Sequence, residues 1–184
     1  MLFEIFEYLF GEIKMLIYKL IYLGKLKYSI IGKYSNRIQI RIMQKGKLVL
    51  IKNNLLRSGV KIRIQNEAVV TIGENTGLNY NCILNAHDRI TIGKNTTFGQ
   101  NVKLYDHDHD YKKAGLLRDS GFTTAPIVIG DNVWIGSDCT ILKGAVIGSN
   151  SVIAAGTIVR GEVPEDTLVY QKRDTVLKEI IRNK

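Results

Sequence analysis

The stretch Ile127-Val-Ile-Gly-Asp-Asn-Val-Trp-Ile-Gly-Ser-Asp-Cys-Thr-Ile-Leu-Lys-Gly-Ala-Val-Ile-Gly-Ser-Asn-Ser-Val-Ile-Ala-Ala-Gly-Thr-Ile-Val159 keeps a six-residue beat. Ile129, Ile135, Ile141, Ile147, Ile153 and Val159 stand six apart. Two residues before them come Ile127, Val133, Cys139, Ala145, Ser151 and Thr157, mostly small or β-branched. The phrase Gly-x-Asn recurs at Gly73–Asn75, Gly93–Asn95, Gly130–Asn132 and Gly148–Asn150. An aliphatic every six residues, flanked by Gly and Asn that tolerate positive φ, describes short strands joined by sharp corners. Three sides close one coil, coils stack, and the repeated aliphatic fills a continuous column. A helix needs apolar residues at spacings of three and four, which this stretch lacks.

The beat extends upstream with interruptions. Ile72, Leu78 and Leu84 keep step, then Ile92, Phe98 and Leu104 resume after a two-residue slip. Short alternating bursts at Ile38–Ile42, Leu48–Leu50 and Ile62–Ile64 read as strands of first, irregular coils. Between Leu104 and Ile129 the pattern is lost, and an excursion at about 105–125 carries Gly115, Gly121 and two of the three histidines. Long excursions in a regular fold are usually functional. The chain divides into a helical segment at 1–30, the coiled region at 31–171 and a tail at 172–184. In that tail Val176, Leu177, Ile180 and Ile181 have the spacing of a short closing helix.

Charge is unevenly placed. Of 26 basic residues, 13 lie between Ile13 and Asn66, where no acidic residue occurs, and the chain as a whole carries +9. Such asymmetry points to an anionic surface or glycan; no nucleic-acid reader motif accompanies it. Residues Leu2–Leu23 place Glu4, Glu7, Glu12, Lys14 and Lys19 on one side of a helix and leave a broad apolar face. The charges interrupt it too often for a spanning helix, which needs about 20 predominantly apolar residues. An interfacial helix beside a basic stretch suits peripheral membrane contact through residues 1–30, and packing on the coils or on a partner subunit is the alternative. The segment lacks a small-residue cleavage site, and Cys82 and Cys139 show neither pairing nor metal spacing. They read as reduced core thiols of a cytoplasmic protein that touches the inner face of a membrane.

Chemistry is sought in Leu104-Tyr-Asp-His-Asp-His-Asp-Tyr111, which opens the excursion. His107 and His109 project from one side if extended. A histidine general base, a metal site using His107, His109 and His87, and a polar surface loop all compete; imidazoles titrate near neutrality, which suits proton abstraction from a hydroxyl.

The repeat, the histidine-bearing excursion and the phrase Pro126-Ile-Val-Ile-Gly-Asp-Asn-Val-Trp-Ile-Gly-Ser137 together resemble the hexapeptide-repeat acyltransferases. The nearest group is similar to the sugar O-acetyltransferases that modify maltose, galactosides, nodulation factors, capsule or lipopolysaccharide. The resemblance implies a mainly β fold, a left-handed parallel β-helix, assembled as a homotrimer with acetyl-CoA in a cleft between coils and a site shared by two subunits. It implies that His109 is the catalytic base, with His107 as the other candidate. Asn79, Tyr80, Asp108 and Trp134 would meet the sugar or polysaccharide acceptor. Trp134, Ser137, Ala155, Gly156 and Arg160 would border acetyl-CoA, with Lys172, Arg173 and Lys178 near its phosphates and no resident metal. The family commonly ends its coils with a Gly-x-Pro phrase where this chain has Tyr170-Gln-Lys-Arg-Asp-Thr-Val176, which leaves the phosphate contacts open. N-acetylation of a nucleotide-linked amino sugar uses the same implied fold; a zinc-dependent γ-carbonic-anhydrase-like enzyme and a non-catalytic trimeric scaffold are more distant alternatives.

Overall fold

The computed structural model describes residues 2–172, 174, 175 and 177–179. A 20-residue helix, α1 (Leu2–Ile21), leads into a parallel β-solenoid with three flat faces. The first face stacks seven strands, from Leu26–Tyr28 through Ile127–Ile129 to Glu162–Val163. The second stacks seven, from Gly32–Tyr34 through Trp134–Ile135 to Leu168–Val169, and the third six, from Gln39–Ile42 to Ile158–Val159. Within each face the strands follow chain order, so each coil lies directly on the one before it.

The six-residue beat becomes vertical ladders. Leu50, Ile72, Ile92, Ile129, Ile147 and Val163 pair in register on the first face. Ile62, Leu84, Leu104, Ile141 and Val159 do the same on the third. All point inward, and the alternate positions Val133, Cys139, Ala145, Ser151 and Thr157 are buried too. Both cysteines are free, and burial pushes the Cys82 thiol up to about 11. The upstream slip has a simple origin: register offsets are 22 residues in the first coils, 20 in the next, 18 after the excursion and 16 at the end. The longer coils have four-residue strands, so Ala86 and Ile90 both turn inward between Leu84 and Ile92.

Corners form columns of positive φ. Between the first and second faces these are Asn53, Asn75, Asn95, Asn132, Asn150 and Asp166, with φ from 55° to 61°. Their side chains chain together, Asn53 donating to Asn75 at 2.8 Å, Asn75 to Asn95 at 3.1 Å and Asn132 to Asn150 at 3.0 Å. Asparagine, not glycine, therefore supplies the left-handed residue of the Gly-x-Asn phrase. The glycine answers a different demand: a Cβ on Gly73 would stand 2.5–2.6 Å from the backbone of Gly93 and Lys94 one coil above.

The helix α1 packs over the open end of the first coil. Met15 is fully buried, and Gly11 lies against the Tyr34 backbone. The expected closing helix at 172–184 falls largely outside the described residues, and the tail residues that are described (174–175 and 177–179) are not helical.

Gly73→Ala, forced into a backbone contact, is expected to cost about 1–3 kcal/mol by urea unfolding. Gly77→Ala, whose nearest neighbour would be 3.8 Å away, is expected to change stability by less than about 0.5 kcal/mol.

Candidate functional site

The corner column between the third and first faces holds Gln44, Asn66, Gly144 and Gly161 at positive φ, but two successive rungs depart from it. One turns through His87 and Asp88; the rung above is replaced by the excursion. Register across that excursion jumps by 37 residues. Its ends form an antiparallel hairpin, His107–His109 against Phe122–Thr124, with a single 3-10 turn (Leu117–Asp119) near the tip.

Asp106 anchors the hairpin. Its carboxylate is fully buried and accepts the backbone N–H groups of His87 and Asp88, both at 2.8 Å, so it closes the corner that lacks a left-handed residue. The same carboxylate holds His107 Nδ1 at 3.1 Å, while its backbone carbonyl accepts the Ala125 N–H at 3.0 Å. On the other side Lys143 pairs with Asp108 at 3.3 Å and also reaches the Thr123 hydroxyl. The excursion is thus braced from the coil below and the coil above.

The three histidines converge on Phe122. His87 and His107 stack ring on ring with centroids 3.7 Å apart and 25° between planes. Phe122 meets His87 at 4.3 Å, His109 at 4.6 Å and His107 at 5.3 Å. The His107 side chain is only 11% exposed, whereas His109 is exposed on the hairpin's outer edge. His87 lies 20 residues before His107 in the chain, on the coil below. The 20-residue offset that pairs Asn85 with Tyr105 carries two residues further, and puts His87 beneath His107. Its Nδ1 is buried with no hydrogen-bond partner among the described residues. Stacked rings do not aim their nitrogens at one point, and among the described residues no three His, Cys, Asp or Glu side chains are grouped to hold a metal ion.

The remaining candidates sit elsewhere on the prism. Asn79, Ser137, Ala155 and Gly156 line the edge between second and third faces, in successive or near-successive coils. Asn79 Oδ1 accepts the Tyr80 N–H at 2.8 Å, and the Tyr80 hydroxyl accepts from Arg57 at 3.1 Å. Ser137 Oγ accepts the Gln100 N–H at 3.1 Å, which ties it to the neighbouring coil and leaves its own O–H free to donate. Trp134 stands on the second face between Thr97 and Val152, 58% exposed, so it is not a core-flanking indole. Arg160 lies at a third-to-first corner, Lys172 and Lys178 are exposed in the tail, and Arg173 falls outside the described residues. Within one chain, then, the imidazoles and the Trp134–Ser137 edge are not brought together; the width of the third face, roughly 10 Å of strand, separates them.

That third face carries a groove of about 430 Å³. Tyr18 of α1 closes one end and Tyr105 the other, and the register ladder Arg41, Arg63, Asn85, Tyr105 runs along it with Lys61 beside. Among the described residues no carboxylate lines it. Tyr105 in turn meets His107 edge-on at 6.3 Å, so the groove leads to the histidine corner.

Residues 126–161 match the family model described as bacterial transferase hexapeptide (six repeats). Over 60% of its length the chain is 36% identical to the galactoside O-acetyltransferase of Escherichia coli K12, spanning 54% of that protein. It is similar to a maltose O-acetyltransferase structure from Clostridium difficile, with 34% identity, a TM-score of 0.53, and 62% of this chain and 59% of that one covered. The chain thus carries the hexapeptide repeat over residues 126–161 and is similar, over part of its length, to sugar O-acetyltransferases. A hexapeptide-repeat acetyltransferase from Vibrio cholerae, solved with acetyl-coenzyme A, is 33% identical with a TM-score of 0.50, covering 62% of this chain and 64% of that one. The chain spans less than two thirds of each of these relatives.

Burial holds the His87 imidazole below its ordinary value of 6.5, and the neighbouring His107 adds to the shift. The folded state therefore binds this proton less readily than the unfolded chain. The contribution of neutral His87 to stability is complete above the unfolded value and is lost as pH falls through the folded one. The melting temperature of the wild type is expected to fall more steeply between about pH 7 and pH 5 than that of His87→Gln, measured by circular dichroism.

Proposed function

We propose that this chain transfers an acetyl group from acetyl-CoA to a hydroxyl of a sugar or polysaccharide, with His109 as general base. The observation that carries the reading is the braced hairpin, which presents an exposed imidazole at a corner of a hexapeptide-repeat solenoid. The acetyl-CoA bound to the Vibrio cholerae relative, and the sugar acceptors named for the galactoside and maltose enzymes, supply donor and acceptor class.

In this mechanism His109 takes the proton of the acceptor hydroxyl as its oxygen attacks the thioester carbonyl. A C–O bond forms, the C–S bond breaks, and coenzyme A leaves as a thiolate. Backbone N–H donors at Ser137 are the expected partners of the developing oxyanion. Trp134 and the small residues Gly136, Ala155 and Gly156 give that edge an apolar wall with low relief, which fits a pantetheine arm. The Asp106–His107–His87 stack acts as the hairpin's foundation and sets where His109 stands. Because the histidine corner and the Trp134–Ser137 edge lie apart in one chain, a complete site needs a second copy, and a homotrimer supplies three such seams. The cationic groove along the third face favours an acceptor that carries carboxylate or phosphate groups.

His109→Ala is expected to lose about 10²–10⁴-fold in acetyl transfer, measured with acetyl-CoA against a panel of neutral and acidic oligosaccharides and amino sugars. His107→Ala is expected to lose less and to lower the melting temperature. The opposite ranking transfers the base to His107. Transfer to amines alone overturns the O-acetyl reading in favour of the N-acetyl one.

A further inference from the structure

The helix α1 is inside out for an element on a free surface. Its polar side faces the solenoid: the Ser35 hydroxyl donates to Glu7 and Lys14 Nζ donates to the Asn36 carbonyl at 2.9 Å, while just past the helix the Tyr22 hydroxyl donates to the Ile40 carbonyl at 3.2 Å. Glu12 is turned inward as well, and burial raises its carboxyl above the usual range. What faces outward is apolar. From Ile5 to Ile21 nine Ile, Leu and Phe side chains are each about half exposed or more, reaching 76% at Leu20. Lys19, over the Tyr28 ring at 5.8 Å, is the exposed charge among them. The strip continues past the helix, where Leu23 is 80% exposed and Ile30 74%. An apolar surface of this extent on a water-facing element marks an interaction site.

Charge decides between occupants. The first two coils adjoining the strip expose Lys27, Lys33, Lys47 and Lys52, within the 13 basic residues of the acid-free segment. Two copies meeting end to end would set those cations against each other, whereas an anionic lipid surface neutralises them. Among the described residues no helix is long and apolar enough to cross a membrane. A 20-residue helix, about 30 Å long, instead lies flat across the end of the prism. We propose that the N-terminal end of the solenoid docks on an anionic phospholipid bilayer, with the outer face of α1 sunk at the headgroup–acyl boundary. This placement stands independently of the acetyl-transfer reading. If both hold, the groove that begins at Tyr18 opens at the bilayer surface, and a lipid-anchored acidic glycan is the acceptor it would meet.

The test is co-sedimentation of the full chain with vesicles of phosphatidylcholine alone or mixed with phosphatidylglycerol. Binding is expected to the mixed vesicles and to weaken with added salt. Leu9→Glu/Leu16→Glu is expected to reduce it at least about tenfold, and so is Lys27→Glu/Lys33→Glu, whose exposed positions leave the fold unchanged. No binding to the mixed vesicles overturns the proposal. So does binding that is equal for both vesicle types and insensitive to salt, or a self-association in solution that Leu9→Glu/Leu16→Glu abolishes in place of lipid binding. Acetyl transfer to a water-soluble acceptor without vesicles keeps the two proposals separable, since it is unaffected by the lysine pair.

Discussion

Backbone stacked directly on backbone at every corner is the constraint from which the rest of this structure follows. Each rung must repeat the path of the rung below, with a left-handed residue at the corner and no Cβ where glycine meets the next coil. The aliphatic ladders then bury themselves, at about 1.5–3 kcal/mol for each fully covered side chain. A solenoid under this rule has little room for irregularity. Where the rule is broken at two successive rungs, the buried carboxylate of Asp106 replaces the missing corner geometry, and the cluster of histidines is built upon it.

Much of this was legible from residue order. The beat of Ile129, Ile135 and Ile141 specified inward positions, and the excursion announced itself by breaking the beat. The Gly-x-Asn phrase marked corners, although the division of labour within it needed coordinates, since a close approach between coils leaves no local trace in the chain. His87 was out of reach for a related reason. Its place under His107 depends on a coil length of 20, and coil length varies between 16 and 22 along this chain. The helix posed another difficulty: a helical wheel shows two faces but not which one the body claims. Here the first coil offers Ser35, Asn36 and the Ile40 carbonyl, and so it takes the charged side. Trp134 was equally ambiguous, because an indole beside a core strand points in or out by a single step of register.

The features of the prism divide by edge. Imidazoles occupy one corner, the low-relief edge of Trp134, Ser137, Ala155 and Gly156 another, and cations line the face between them near the helical end. A single chain presents these parts without joining them. In the proposed oligomer, side-by-side copies would join the corner of one to the edge of the next, and parallel axes would also align every apolar helical end on one plane. Catalysis and surface attachment would then share a symmetry, with acceptor groove and docking face at the same end of the particle.

Complementation between two disabled chains addresses this most directly. Mixed oligomers would be prepared from His109→Ala, which removes the proposed base, and Ala155→Trp, which blocks the exposed edge proposed for the donor, and their acetyl transfer compared with each variant alone. Mixing is expected to restore activity well above either parent, because some seams pair an intact corner with an intact edge. Mixed oligomers that stay at the level of the parents would contradict it, since each site would then belong to one chain.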